Sequence, residues 1–212
     1  MSNENKMLIL IIGPESTATR AFTKAFIQHP KILSTEDPSE HIDILDNVWY
    51  ELENNNEEYA LASFPVNHKK DIIVTRRSVP HGLRPGVAAR YMSFPNINGL
   101  KRICERLRYE LFILITSRSP IPNLVSWTNE RASVQGDINK AYIQYQMSYR
   151  EIFKFIDTHD VPYFIVSLEG FILDKKDLIK SLHLYFGLPD EKVSIESRNN
   201  VNKRRYEEYF GR

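Results

Sequence analysis

The sequence has one cysteine, Cys104, in 212 residues. No intrachain disulfide can form, and the cysteine usage gives no sign of an oxidising compartment. Glycine is scarce, at 8 residues, and proline numbers 11, which excludes collagen-like and low-complexity chains. Long hydrophobic runs are missing too. The run Met7–Ile12 near the start is too short for a signal-peptide core, and no stretch reaches the roughly 18 residues of a membrane span. A soluble, cytoplasmic protein without membrane contact is expected. Charge of one sign is also lacking. Lys and Arg total 28 against 27 Asp and Glu, a net charge of +1, so nothing suggests a nucleic-acid partner. No spaced cluster of His, Cys and Asp marks a metal site, and none is expected.

Hydrophobic residues make up 42% and charged residues 26%, ordinary globular usage. The length suits a single domain over 1–212, with an acidic helical excursion around 36–62. Charge is balanced overall but not along the chain. From Lys31 to Lys69 no Lys or Arg intervenes, while Asp43, Asp46, Glu57 and Glu58 belong to an unbroken acidic run. From Lys69 to Arg108 ten basic residues face only Asp71 and Glu105. Two readings stand: solvated faces of opposite sign, or basic segments converging on an anionic ligand.

Apolar runs at Met7–Ile12, Asp71–Thr75, Leu111–Thr116 and Tyr163–Ser167 have the length and branching of buried strands. Helical spacing covers Thr17–Gln28, Ile97–Arg108, Asp137–Thr158 and Lys175–Phe186. Asp137 suits an N-cap, Asn96 or Asn98 another, and Gly187 a C-cap. The acidic segment reads as one or two helices ending in the 54–56 turn. Strands alternating with helices predict an α/β fold, a parallel sheet flanked by helices on both faces.

Two segments carry chemistry. In LILIIGPESTATRAF, Gly13 and Pro14 turn the chain between the first strand and helix. Ser16, Thr17 and Thr19 offer hydroxyls, Ala18 permits close approach, and Arg20 adds charge. Unpaired amides at a helix N-terminus make such a turn an anion site. It is not a Walker A loop. Ala18 stands at the second glycine, Thr19 at the lysine and Arg20 at the Ser/Thr. The second segment, ELFILITSRSPIPNLVSW, sets Arg118 just past a strand and Ser126 eight residues later on the next helix. Ligands bind beyond the carboxyl ends of such strands, and a guanidinium fork suits a phosphate monoester.

Together these segments resemble the sulfotransferases that use 3′-phosphoadenosine 5′-phosphosulfate (PAPS). The family's 5′-phosphosulfate loop is similar to residues 13–20, and its 3′-phosphate motif to Arg118-Ser119-Pro120 with Ser126. The stretch from Val166 to Pro189 looks like the family's strand, Glu-containing turn and helix. The tail around Lys203 and Arg204 resembles the basic segment that closes over the 3′-phosphate. The resemblance implies a P-loop-like sulfotransferase architecture and PAPS as donor. It further implies sulfuryl transfer to a hydroxyl or amine of a small-molecule or saccharide acceptor. A Lys or Arg commonly stands in the family where this chain has Ser16. Arg20, Arg76 and Arg77 are candidates for the missing cation, and His81 or Glu15 for the base. Trp49, Trp127 and the Tyr-rich helix are candidates to line the acceptor pocket, against the commoner role of aromatics as core. The alternatives are a nucleotide-binding protein of this kind without transferase activity, or an atypical P-loop kinase.

Overall fold

The computed structural model describes residues 6–34, 43–66, 68, 70, 72–79, 81–82, 92–130, 134 and 136–189. In chain order the first half runs β1 (Lys6–Pro14), α1 (Thr19–Phe26), β2 (Ile32–Leu33), α2 (Asp46–Glu53), α3 (Glu57–Ala62), β3 (Ile72–Val79), β4 (His81–Gly82) and β5 (Met92–Ser93). The second half runs α4 (Ile97–Leu107), β6 (Tyr109–Ser117), α5 (Pro120–Glu130), α6 (Ile138–His159), β7 (Tyr163–Ser167), α7 (Leu168–Leu173) and α8 (Lys175–Tyr185).

Five strands form one parallel sheet in the order β2-β3-β1-β6-β7. Side chains alternate across a strand, and β1 shows the consequence. Leu8, Leu10 and Ile12 join a core with α2, α4 and α6, while Ile9 and Ile11 join a second core with α1, α7 and α8. Burial on both faces explains why β1 and β6 read as unbroken apolar runs. The architecture is therefore α/β with helices on both faces.

The caps follow local chemistry. Asn96 accepts from the Gly99 amide at 2.9 Å. Asp137 accepts from Asn139 and Lys140 at 2.8 and 3.1 Å. Gly187 follows α8 at φ 69°, in the left-handed region glycine favours. Three differences from the sequence reading matter. The two-residue strand β2 is too short to show a period. The 54–56 turn separates α2 from α3 rather than ending the acidic helices. Strand β3 continues four residues past Thr75, carrying Arg76 and Arg77 into the sheet opposite Ile11 and Ile12.

The charge runs are partly settled by pairing. Glu57 and Glu58 of α3 meet Arg102 and Arg106 of α4 at 2.7 and 2.6 Å. The acidic excursion thus neutralises part of the basic segment that follows it.

Candidate active site

The turn after β1 is held from both sides. On one side Glu15 N–H donates to the Val79 carbonyl at 3.1 Å, and Thr19 Oγ1 lies 3.2 Å from Ser78 Oγ. On the other, Thr17 Oγ1 lies 2.8 Å from Thr116 Oγ1 while donating to the Pro14 carbonyl at 2.6 Å. A Cβ on Gly13 would sit 2.3 Å from Thr116 Oγ1 and 2.4 Å from the Thr116 carbonyl oxygen. Only glycine allows β1 and β6 to run this close where the loop begins.

Within the loop, Ser16 (φ 66°) and Ala18 (φ 63°) both adopt left-handed backbone. Non-glycine residues hold that conformation at a cost, and such strain concentrates at ligand sites. Ala18 is the N-cap of α1, and no side chain caps the helix. Ala18 therefore leaves the first-turn amides uncapped at the positive end of the helix dipole, where an anion is stabilised. Arg20 stands exposed on this first turn.

Arg118 leaves the end of β6 and turns back to the loop. Its Nη1 donates to the Ser16 carbonyl at 3.2 Å, joining segments 102 residues apart. Tyr145 of α6 donates its hydroxyl to the Arg118 carbonyl at 3.3 Å. The Ser119 amide donates to Glu169 Oε1 at 2.9 Å, which ties the start of α5 to the first turn of α7. Ser126 lies buried on α5. One turn earlier, Asn123 is fully buried, and neither its Nδ2 nor its Oδ1 has a hydrogen-bond partner among the described residues.

The two arginines of β3 part company because successive side chains leave opposite faces of a sheet. Arg77 points into the α2 side. It pairs with Asp46 at 3.0 Å and lies 4.9 Å over the Trp49 ring. Arg76 shares the α1 side with Ser78. Burial pulls its pKa below the usual guanidinium value; Asp43 opposes this, while the nearby charges of Arg20 and Arg77 add to it. Two cations, Arg20 and Arg76, thus stand close enough to repel each other at the N-terminal end of α1.

Asp43 anchors this strand end. Its carboxylate accepts from Thr75 Oγ1 at 2.6 Å, Leu45 N at 2.9 Å and Arg76 N at 2.9 Å. Burial still raises its pKa, against the field of Arg77 and these hydrogen bonds.

Of the residues expected from sequence, Gly13, Pro14, Glu15, Ser16, Thr17, Ala18, Thr19, Arg20, Arg76 and Arg118 converge on the loop. Ser126 sits on α5 beyond Arg118. Arg77 is engaged on the opposite face of the sheet. His81 pairs through its backbone with Ser93 in the β4–β5 hairpin; its side chain lies outside the described residues, as do Lys203 and Arg204. Trp49 and Trp127 are fully buried core residues rather than pocket walls. Trp49 donates Nε1–H to Thr75 Oγ1 at 2.9 Å.

Sequence reasoning missed Thr116, Asp43, Glu169 and Asn123 as parts of the site. Glu169 carried a signal, as the carboxylate of the turn noted after the last strand, but its partner is 50 residues away. Asn123 carried none, because a mid-helix Asn is unremarkable until its burial is known. Among the described residues, no group of three or more His, Cys, Asp or Glu could hold a metal ion, and no helix is long and apolar enough to cross a membrane.

Solved structures share this arrangement of strands and helices. One is a sulfotransferase from Alicyclobacillus acidocaldarius. It matches with a TM-score of 0.53 at 12% identity, over 97% of this chain and 91% of that one. The fold is a sulfotransferase fold. Another is the sulfotransferase domain of the Synechococcus PCC 7002 olefin synthase, with a TM-score of 0.50 at 12% identity, over 97% of this chain and 85% of that one. No protein-family model matches the chain, and no curated protein does. In this chain the loop at 13–18 and the Arg118 segment follow neighbouring strands, β1 and β6.

Proposed function

We propose that the protein transfers a sulfuryl group from PAPS to a hydroxyl or amine of a small acceptor. The observation that carries this reading is the junction of Arg118 with the Ser16 carbonyl. A guanidinium bonded to the loop before an uncapped helix N-terminus supports a reading in which two anion-binding devices take the two phosphate ends of one nucleotide. The donor set fits such a ligand: loop amides, Arg20 and Arg76 toward the phosphosulfate, Arg118 and Ser126 toward the 3′-phosphate. The Asn123 amide, buried without partners, stands one turn from Ser126 and is suited to a further polar edge of the nucleotide. Lys203 and Arg204 join the 3′-phosphate contacts in this reading.

The step is an in-line displacement at sulfur. The acceptor oxygen or nitrogen bonds to sulfur as the bond from sulfur to the nucleotide's phosphate oxygen breaks. That oxygen keeps the electron pair, and its growing charge is met by the α1 amides, Arg76 and Arg20. Arg76 then substitutes for the loop cation that Ser16 does not supply. The acceptor proton passes to His81 or Glu15. No metal is required by this chemistry.

The test is binding of adenosine 3′,5′-bisphosphate, followed by thermal shift with 5′-AMP as control. The wild-type protein is expected to be stabilised by the bisphosphate and not by 5′-AMP. Arg118→Ala is expected to weaken bisphosphate binding by about 2–5 kcal/mol, roughly thirty-fold or more. Equal affinity in wild type and variant overturns the site. A second reading, nucleotide binding without transfer, is favoured by the neutral Ser16 in the loop; any PAPS-dependent sulfated product excludes it.

A further inference from the structure

A groove of about 420 Å³ runs between the segment entering α4 and the second half of α6. Its volume falls within the ~300–1,000 Å³ of small-molecule sites. The floor is apolar and buried: Val79, Ile97, Ile152 and Phe155. The rim is polar, with Glu151, Lys154 and Thr158 on α6, and it is closed at one end by His159 bonded to Asn98 at 2.6 Å.

One lining residue, Val79, connects the candidate active site to this groove. Val79 lines it, and the Val79 carbonyl accepts from Glu15 N of the loop at 3.1 Å and from Ser148 Oγ of α6 at 2.8 Å. Val79 is also the last residue of the strand that carries Arg76. A molecule on the groove floor therefore lies on the Arg77 face of the sheet, against the strand end whose backbone holds the loop.

We infer that this groove is the acceptor site, and that it takes a neutral alcohol or phenol with an apolar body rather than a saccharide. Three observations choose the class. The floor offers contact area without hydrogen-bonding groups, which suits rings or alkyl chains, and a sugar's hydroxyls would find partners only along the rim. Neither tryptophan is open to stack on a sugar face, since both are fully buried. The rim sets one carboxylate, Glu151, against one ammonium, Lys154, a turn apart, so its field selects neither an anion nor a cation. The inference rests on the sulfuryl-transfer reading for its chemistry: the acceptor's hydroxyl oxygen takes the sulfuryl group and gives its proton to the base, and the nucleotide leaves with the electron pair.

The test uses saturation-transfer NMR on the full chain with 2-naphthol and N-acetylglucosamine as probes. Adenosine 3′,5′-bisphosphate thermal shifts, run in parallel, report on the donor site. Wild type is expected to bind 2-naphthol and not N-acetylglucosamine. Thr158→Trp, which fills the groove from an exposed rim position, is expected to weaken 2-naphthol binding by roughly tenfold or more while the bisphosphate shift persists. Lys154→Trp, also on the rim, is the second blocking variant if the first fails to fold. Unchanged 2-naphthol binding in the blocking variants, or preferential binding of N-acetylglucosamine, overturns the inference. Groove binding of 2-naphthol without any bisphosphate shift overturns the donor reading and, with it, the acceptor role. A bisphosphate shift without 2-naphthol binding removes this inference alone.

Discussion

Gly13→Ala is the sharpest single perturbation of this site. The added methyl would meet the Thr116 hydroxyl at 2.3 Å, the Thr116 carbonyl oxygen at 2.4 Å and the Thr17 hydroxyl at 2.8 Å. Ordinary contact begins near ~3.4 Å, so the β6 backbone would have to retreat by about 1 Å, and backbone yields less readily than a side chain. Thr116 stands in the strand that pairs with β1 on one side and β7 on the other, so the retreat strains two ladders. Overpacking of this kind costs about 3 kcal/mol. For a chain of this length the melting temperature should fall by about 6–12 °C. The loop moves with it, so bisphosphate affinity should fall as well. Gly170→Ala is the matched control. Its nearest neighbour is the Ser167 hydroxyl at 3.0 Å, which caps the helix through the Gly170 amide and need give only a few tenths of an ångström, and the position is helical, where alanine gains roughly 0.5–1 kcal/mol over glycine. Differential scanning calorimetry of the three proteins decides. A Gly13→Ala protein melting within about 2 °C of wild type refutes the close approach of β1 and β6 on which the loop geometry rests.

The two β3 arginines should separate cleanly. Arg77→Met should lower stability, because it removes the partner of Asp46 and the cation over Trp49; Arg76→Met should leave the melting temperature nearly intact and slow product formation in a PAPS assay. The reverse pattern refutes the division of roles. Burial pushes the Cys104 thiol up to about 12, so the native protein should resist a thiol-specific reagent at neutral pH and react fully once unfolded in urea; fast native labelling shows that the helix opens. Burial chiefly holds His183 below its ordinary value of 6.5, with His29 adding to this and the Phe26 carbonyl opposing it. The unfolded chain therefore takes up a proton that the folded one resists, and stability should fall as pH drops below that ordinary value. Urea midpoints at about pH 7.5 and about pH 5.5 test it: His183→Gln, which can still donate to Phe26 O, should flatten the difference, and an unchanged difference clears His183.

Much of the fold was legible because burial on both faces writes itself into sequence. Met7–Ile12 and Leu111–Thr116 can be little else but central strands, and Asp137 and Gly187 announce their helix ends by the hydrogen bonds and backbone angles those residue types favour. The loop at 13–18 and the spacing from Arg118 to Ser126 were likewise readable, since each is local: a turn before a helix, a cation after a strand. Tertiary structure alone decided what these pieces do to one another. The sheet order set β1 beside β6 and so brought Arg118 to the Ser16 carbonyl across 102 positions. The register of β3, four residues longer than its apolar run, sent Arg76 to the loop side and Arg77 to the core side, a choice that turns on strand parity and that composition does not record. The full burial of Trp49 and Trp127, the unpartnered amide of Asn123 and the Glu169 contact to Ser119 are properties of neighbours, not of residue types. Local periodicity is a one-dimensional signal and survives in a sequence. Convergence on a site is a three-dimensional one, and it exists only once the chain has folded.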